Sequence, residues 1–216
     1  MKHIKLFENF DTKSIEEICK NFNIGNYTIN DDGTIDIDGN ISINVLHNLP
    51  LKFGKVTGYF SCSSNVLTSL EGSPGYVGGN FDIGFNKLTS LKGCPKYVGG
   101  DFECVKNMLT SLEGCPEYVG GDFDIRLNNI KDLRNCPTYI GGKFRTGSDS
   151  LSIIYDILKS NLECVNNFYD FHILDNLEDE KPTLNLKRLN RFIELYELDQ
   201  LTDELLNDIK NYFITI

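Results

Sequence analysis

Four consecutive stretches of this chain repeat one another at a spacing of 21 residues with no slippage: GYFSCSSNVLTSLEGSPGYVG (58–78), GNFDIGFNKLTSLKGCPKYVG (79–99), GDFECVKNMLTSLEGCPEYVG (100–120) and GDFDIRLNNIKDLRNCPTYIG (121–141). A fifth unit, GKFRTGSDS, starts at Gly142 and is abandoned. Upstream, Ile41, Asn44, Leu46 and Leu49 stand 21 residues before Cys62, Asn65, Leu67 and Leu70, so a worn unit precedes the clear ones. An active site needs each catalytic group once, whereas a stack of coils needs the same residues in every coil. A period of this length marks a solenoid, in which one unit cannot bury its apolar face until a neighbour stacks on it. About five coils are expected.

Each position in the unit has a physical reading. The alternation Phe102-x-Cys104 and Phe123-x-Ile125 puts two side chains inward from a short strand. Asn65, Asn86, Asn107 and Asn128 follow three residues later, where a buried amide can bond the backbone of its own and the next coil. Leu67/Leu70, Leu88/Leu91, Leu109/Leu112 and Ile130/Leu133 fill the interior, and Val77, Val98, Val119 and Ile140 close the coil. The paired glycines, such as Gly120-Gly121, permit backbone angles that other residues resist.

The pattern F-x-[IC]-x-x-N-x-L-x-x-L resembles the leucine-rich repeat with Phe at the first strand position, closely over 58–147 and loosely over 33–57. The fuller wording NxLTSLxGCPxYVGGDF is similar to short leucine-rich repeat proteins of bacteriophage and some bacterial genomes. The resemblance implies an α/β solenoid with a curved parallel sheet on its concave face and irregular turns on the convex one. It also implies a binding scaffold and brings no chemistry with it.

The flanks differ from the repeats. Residues 1–40 read as a cap: Ser14-Ile15-Glu16-Glu17 has the form of a capping box opening a helix that ends near Phe22 or Gly25. Tyr27–Ile29 and Thr34–Ile37 flank a turn at Asp32-Gly33 as a hairpin. Residues 41–147 are the solenoid. Residues 148–216 lack its glycines and turn helical, with Ile153, Ile154, Ile157 and Leu158 on one face and Cys164–Phe171 as a second short helix. NLEDEKP (176–182) reads as a loop, and Thr183 and Thr202 as N-caps of two last helices, the first with a stripe of Leu189, Phe192, Ile193 and Tyr196. This region either caps the last coil or forms a partner-binding or dimerising unit.

The net charge of −10 is uneven. Residues 1–147 hold 17 acidic and 15 basic side chains, and residues 148–216 hold 14 and 6, giving −2 and −8. That balance disfavours binding to a phosphate backbone, and makes the acidic tail either a solvated surface or a mimic of nucleic acid. No run approaches the ~18 apolar residues of a membrane span. MKHIKLFENF has no secretory pattern, so the cytoplasm is the expected setting. The seven cysteines form no CxxC pair, and His3, His47 and His172 lie far apart, which disfavours zinc. Cysteine as a small buried hydrophobe is the expectation. No GxxxxGK[ST] or GxSxG motif is present, and His172 eight residues beyond Cys164 is a slender basis for a dyad. Neither an enzyme nor a cofactor is expected.

What remains is a recognition surface. Asp82, Glu103 and Asp124 form one outward column, a carboxylate ladder with steps of about 5 Å. Asn80, Asp101 and Asp122 form the column beside it, and Lys143 and Arg145 end the two. The columns Gly84/Val105/Arg126 and Phe85/Lys106/Leu127 vary freely while interior columns hardly change. Phe85, Val105 and Leu127 with Lys106 and Arg126 are thus expected to form a mixed apolar and basic patch. Asp101, Glu103, Asp122, Asp124 and Arg145 would border it on the concave face. Such a border suits a protein partner better than a nucleic acid. The expected role is a non-enzymatic scaffold that binds a host protein, such as a defence component. The alternatives are a self-assembling or virion-associated piece and, more weakly, an acidic mimic of nucleic acid.

Overall fold

In the computed structural model, which describes residues 12–44, 47–170, 173–175, 182–199 and 201–215, the repeats wind into a parallel β-solenoid of about five turns. Each full coil contributes two short strands, one on either side of the glycine pair. The Phe strands, Ile41–Ser42, Phe60–Ser61, Phe81–Asp82, Phe102–Glu103, Phe123–Asp124 and Phe144–Arg145, form a six-stranded parallel sheet in chain order. The second sheet, absent from the expectation of irregular turns, contains Phe53–Val56, Tyr76–Val77, Tyr97–Val98, Tyr118–Val119 and Tyr139–Ile140. From Phe60 onward every pairing in the Phe sheet joins residues one period apart, as in Phe81 with Phe102 and Phe102 with Phe123.

That register stacks identical side chains. Phe60, Phe81, Phe102, Phe123 and Phe144 lie ring over ring with centroids 5.6, 5.9, 5.1 and 5.8 Å apart. The first four are fully buried, as are Val77, Val98 and Val119 opposite them. The asparagines sit between coils. The Asn107 side-chain amide donates to Ile83 O at 3.0 Å and Cys104 O at 3.4 Å, while its Oδ1 accepts from Leu88 N at 3.0 Å. Asn86 and Asn128 repeat this arrangement, so each serves its own coil and the preceding one rather than the next.

Space, not backbone angle, fixes the glycine pairs. A Cβ at Gly99 or Gly120 would overlap the carbonyl oxygen of Gly78 or Gly99 in the coil before. Neither residue has a positive φ; left-handed backbone occurs instead at the glycines before the Ser-Pro or Cys-Pro step, as at Gly114 (φ 87°). All seven cysteines are free and buried, as expected of core filler. Ser73 stands where the other coils have Cys94, Cys115 and Cys136, and its buried hydroxyl finds no partner.

The first coil is shorter than its sequence alignment implied. Ile41 pairs with Phe60, and Ile43 N donates to Ser61 O, so Ile41 belongs to the Phe column and Ile43 to the Cys62 column. A two-residue slip keeps the same face inward, so alternation could not detect it. Leu46, placed in this coil by the alignment, lies outside the described residues.

The N-terminal helix α1 (Thr12–Asn21) contains Ser14 instead of starting from it, so Ser14 is not the N-cap. Strands β1 (Tyr27–Ile29) and β2 (Ile35–Ile37) form the expected hairpin, which extends the Tyr sheet and covers its first edge. After the solenoid come α2 (Asp149–Leu158), capped by Ser148, a 3-10 turn at Leu162–Cys164, and α3 (Val165–Asp170). Next follow α4 (Leu186–Leu195), capped by Asn185, and α5 (Asp203–Tyr212), capped by Thr202. Thr183, expected as an N-cap, lies instead in the middle strand of a small sheet formed by Leu174–Asp175, Thr183–Leu184 and Ile214–Thr215. The expected loop at 176–182 falls, except for Pro182, outside the described residues, as do Phe171, His3 and His172. The helical region packs on the last coil: Tyr155 continues the phenylalanine stack 4.6 Å from Phe144, and the Tyr169 hydroxyl accepts from Leu133 N at 2.8 Å.

Candidate protein-binding face

The outward side of the Phe sheet divides its expected site residues into two sets. One set holds coils together. Asp101 Oδ1 accepts from Asp122 N at 2.8 Å, and Asp122 Oδ1 accepts from Lys143 N at 2.7 Å. Asn80 and Asn40 make the same contact in earlier coils. Arg145 pairs with the other oxygen of Asp122 at 2.6 Å. The Lys143 amide, with Arg145 beside it, holds the Asp122 carboxyl below its ordinary value. Asp124, expected outward and exposed, is 4% exposed and gripped by Arg126 through Nε at 2.9 Å and Nη2 at 2.6 Å. An Arg side chain folded back over it covers it, which an outward position alone does not reveal.

Glu103 is different. It lies half-buried between Asp82 and Asp124; burial, followed by the charges of Asp82, Asp101 and Asp124, raises its carboxyl above the usual value. Ser61, Asp82, Glu103 and Tyr59 line a shallow depression of about 430 Å³. Among the described residues, no cluster of three His, Cys, Asp or Glu could hold a metal ion.

The other set comes together as an exposed patch. Phe85 is 51% and Leu127 67% exposed, with Lys106 between them in the stack and half-buried Val105 beside it. The Lys106 ammonium sits 5.4 Å over the Phe85 ring. Val105, Arg126 and Leu127, with Asn128, Ile130 and Thr146, line a depression of about 550 Å³ at the junction with the helical region.

The backbone explains why these side chains project. Ser64, Phe85, Lys106 and Leu127 occupy the same place in four coils, all left-handed, with φ of 57°, 55°, 57° and 57°. The chain turns there so that the next residue, the asparagine, points inward. A non-glycine residue in this conformation costs about 1 kcal/mol or more. A bulky aromatic or aliphatic residue gains no folding advantage from it.

Sequence reasoning missed the tyrosines. Tyr76, Tyr97, Tyr118 and Tyr139 project from the Tyr sheet and stack at 4.9, 4.7 and 4.6 Å with planes within 7° of parallel. The signal was present, since a tyrosine precedes the inward Val or Ile in four successive units, but only the inward residue was interpreted. No protein-family model, curated protein or solved structure matches this chain.

Proposed function

We propose that this chain is a protein-binding scaffold of the leucine-rich repeat kind, encoded by a bacteriophage, that engages a protein of the host cell through the Phe85–Leu127 patch. The observation that carries the reading is the pair of large apolar side chains at Phe85 and Leu127, exposed at strained left-handed positions where glycine would fold more readily. Strain retained without a folding benefit is the signature of a site under another demand. Lys106 gives the patch its basic centre, the Arg126 guanidinium being held on Asp124, and aromatic side chains are among the usual anchors of protein interfaces. The coil-to-coil regularity behind the patch supplies a rigid platform. The host-cell cytoplasm is the setting this role requires.

The test is capture from host lysate by the full chain and by a Phe85→Ser, Lys106→Glu, Arg126→Glu variant, with light scattering on both. One stoichiometric host protein, retained by the parent chain and lost by the variant, is the expected result. Equal retention by the variant would exclude this face. A second reading, self-assembly, is favoured by Leu195, 60% exposed on α4. A multimeric mass with no host protein bound would select it.

A further inference from the structure

The four stacked tyrosines belong to a different sheet from the patch above and have no role in it. Their faces pack on one another, yet Tyr76, Tyr97 and Tyr139 remain 37%, 36% and 48% exposed. No hydrogen bond among the described residues engages the four hydroxyls. Lys55 closes one end of the stack, its ammonium 5.0 Å over the Tyr76 ring, and no carboxylate among the described residues pairs with it. The result is a stacked aromatic rail with hydroxyls along it and a cation at its start.

We propose that this rail binds a proline-rich segment in the polyproline II conformation, with an acidic residue at the end that meets Lys55. Three observations converge on that occupant. The first is register. Two successive steps along the rail sum to at most about 9.6 Å over Tyr76, Tyr97 and Tyr118 and about 9.3 Å over Tyr97, Tyr118 and Tyr139. A polyproline II helix has three residues per turn and rises about 3.1 Å per residue, so every third residue recurs at about 9.3 Å. Prolines three apart therefore meet alternate tyrosines along the whole rail. An α-helix, with a pitch of about 5.4 Å, slips out of step by most of an ångström at each coil. An extended strand, repeating every two residues at about 6.7 Å, matches neither one coil nor two.

The second observation is chemical. A polyproline II segment makes no internal hydrogen bonds and leaves its carbonyls free. The outward edges of the stacked tyrosine rings supply apolar surface for the pyrrolidines, and their hydroxyls supply the missing donors. Aromatic-lined surfaces read proline-rich segments in this way, and the preformed helix keeps the ordering cost low. The third observation is charge complementarity. Because a polyproline II helix looks alike in both directions, the cation at one end is what fixes orientation, by pairing with an acidic residue there.

The probe is an acetylated and amidated decaproline carrying one aspartate at its end, titrated into the full-length chain. Its counterparts carry lysine in place of the aspartate, or replace proline by a Gly-Ser sequence of equal length. Because the chain has no tryptophan, tyrosine fluorescence reports binding directly, and amide chemical-shift mapping locates it. Saturable binding is expected, weakened about tenfold by Tyr97→Ser with Tyr118→Ser, as for loss of an interface anchor. The lysine peptide is expected to bind about threefold more weakly, and Leu127→Gly to leave binding unchanged. Shifts on the unmodified chain should centre on 76–77, 97–98, 118–119 and 139–140. That mapping stands even if the serine variant fails to fold. No saturation at millimolar peptide, equal binding of the Gly-Ser peptide, or shifts centred on Phe85, Lys106 and Leu127 would each overturn the proposal. None of these outcomes bears on whether the Phe85–Leu127 patch captures a host protein.

Discussion

Replacing Asn107 by leucine separates the asparagine ladder from the apolar stack as the source of cohesion. Asn107 is 8% exposed and makes three bonds to the backbone, donating to Ile83 O and Cys104 O and accepting from Leu88 N, besides a longer contact of 3.5 Å to Cys104 Sγ. The three losses are unequal. Ile83 O keeps a second donor in Asn86 at 3.2 Å, and Cys104 O keeps one in Asn128 at 2.8 Å. The Leu88 N–H is left with nothing, inside a coil junction closed to water. An orphaned buried amide costs about 1–3 kcal/mol, and each bond removed from a still-satisfied carbonyl about 0.5–1.5. Leucine returns part of this as apolar burial, so the expected net loss is about 3 kcal/mol. Asn80→Ala is the control, because its Oδ1 likewise accepts from an amide of a neighbouring coil, here the following one (Asp101 N at 3.0 Å), but at the surface. Water replaces that contact, and the loss should stay below about 1 kcal/mol.

Urea unfolding followed by circular dichroism and by tyrosine fluorescence measures both variants, with coincidence of the two probes testing two-state behaviour. Asn107→Asp sharpens the test. It keeps an acceptor for Leu88 N–H but directs a carboxylate at two carbonyl oxygens, so its folded pKa must rise. A raised carboxyl pKa means that stability is lost as pH climbs above the unfolded value near 4. This variant should be close to the parent at pH 4 and well below it at pH 8. If Asn107→Leu costs no more than Asn80→Ala, or Asn107→Asp shows no pH dependence, the ladder contributes no more than its surface counterpart and stacking alone holds the coils.

Further expectations follow from single sites. Ser73→Cys removes a buried hydroxyl without a partner and restores the side chain of the other coils, and should raise unfolding stability by about 1 kcal/mol. Leu127→Gly relieves a left-handed residue that is 67% exposed; it should stabilise the chain by up to about 1 kcal/mol while weakening capture of the host protein. The Glu103 carboxyl is raised by burial and by neighbouring carboxylates, so its charged form opposes folding once the pH exceeds the unfolded value. Glu103→Gln should therefore raise the urea midpoint at pH 7 and lose that advantage by pH 4. Tyr169→Phe strips the acceptor from Leu133 N and should cost about 1–3 kcal/mol, detaching the helical region from the last coil as read by proteolysis.

The link between stability and recognition at Leu127 also bears on what the sequence could reveal. A position inside the solenoid faces copies of itself in the neighbouring coils, so Phe81, Phe102 and Phe123 must agree, and their agreement makes the coil legible without a structure. The slip in the first coil escaped because it is even-numbered: Ile41 and Ile43 stay inward in either register, and only the hydrogen bonds distinguish them. The Tyr strands escaped because each offers one inward residue, Val77, Val98 or Val119, before its glycine pair, whereas inward alternation from the Phe strands runs on to Ile83, Cys104 and Ile125. At the candidate face, identity and conformation decouple. Asp101, Asp122 and Asp124 share their chemistry with Glu103, yet bonds to Asp122 N, Lys143 N and Arg126 draw them into the fold. What picks out Phe85, Lys106 and Leu127 is a backbone angle that no residue type announces, in a column whose first member is the unremarkable Ser64. If the interior demands uniformity and that column demands a strained angle, variation in the column records pressure from outside the fold. Exchanging Phe85 and Leu127 should accordingly leave unfolding stability unchanged and alter partner capture, because both side chains are solvent-exposed and only their order along the stack differs.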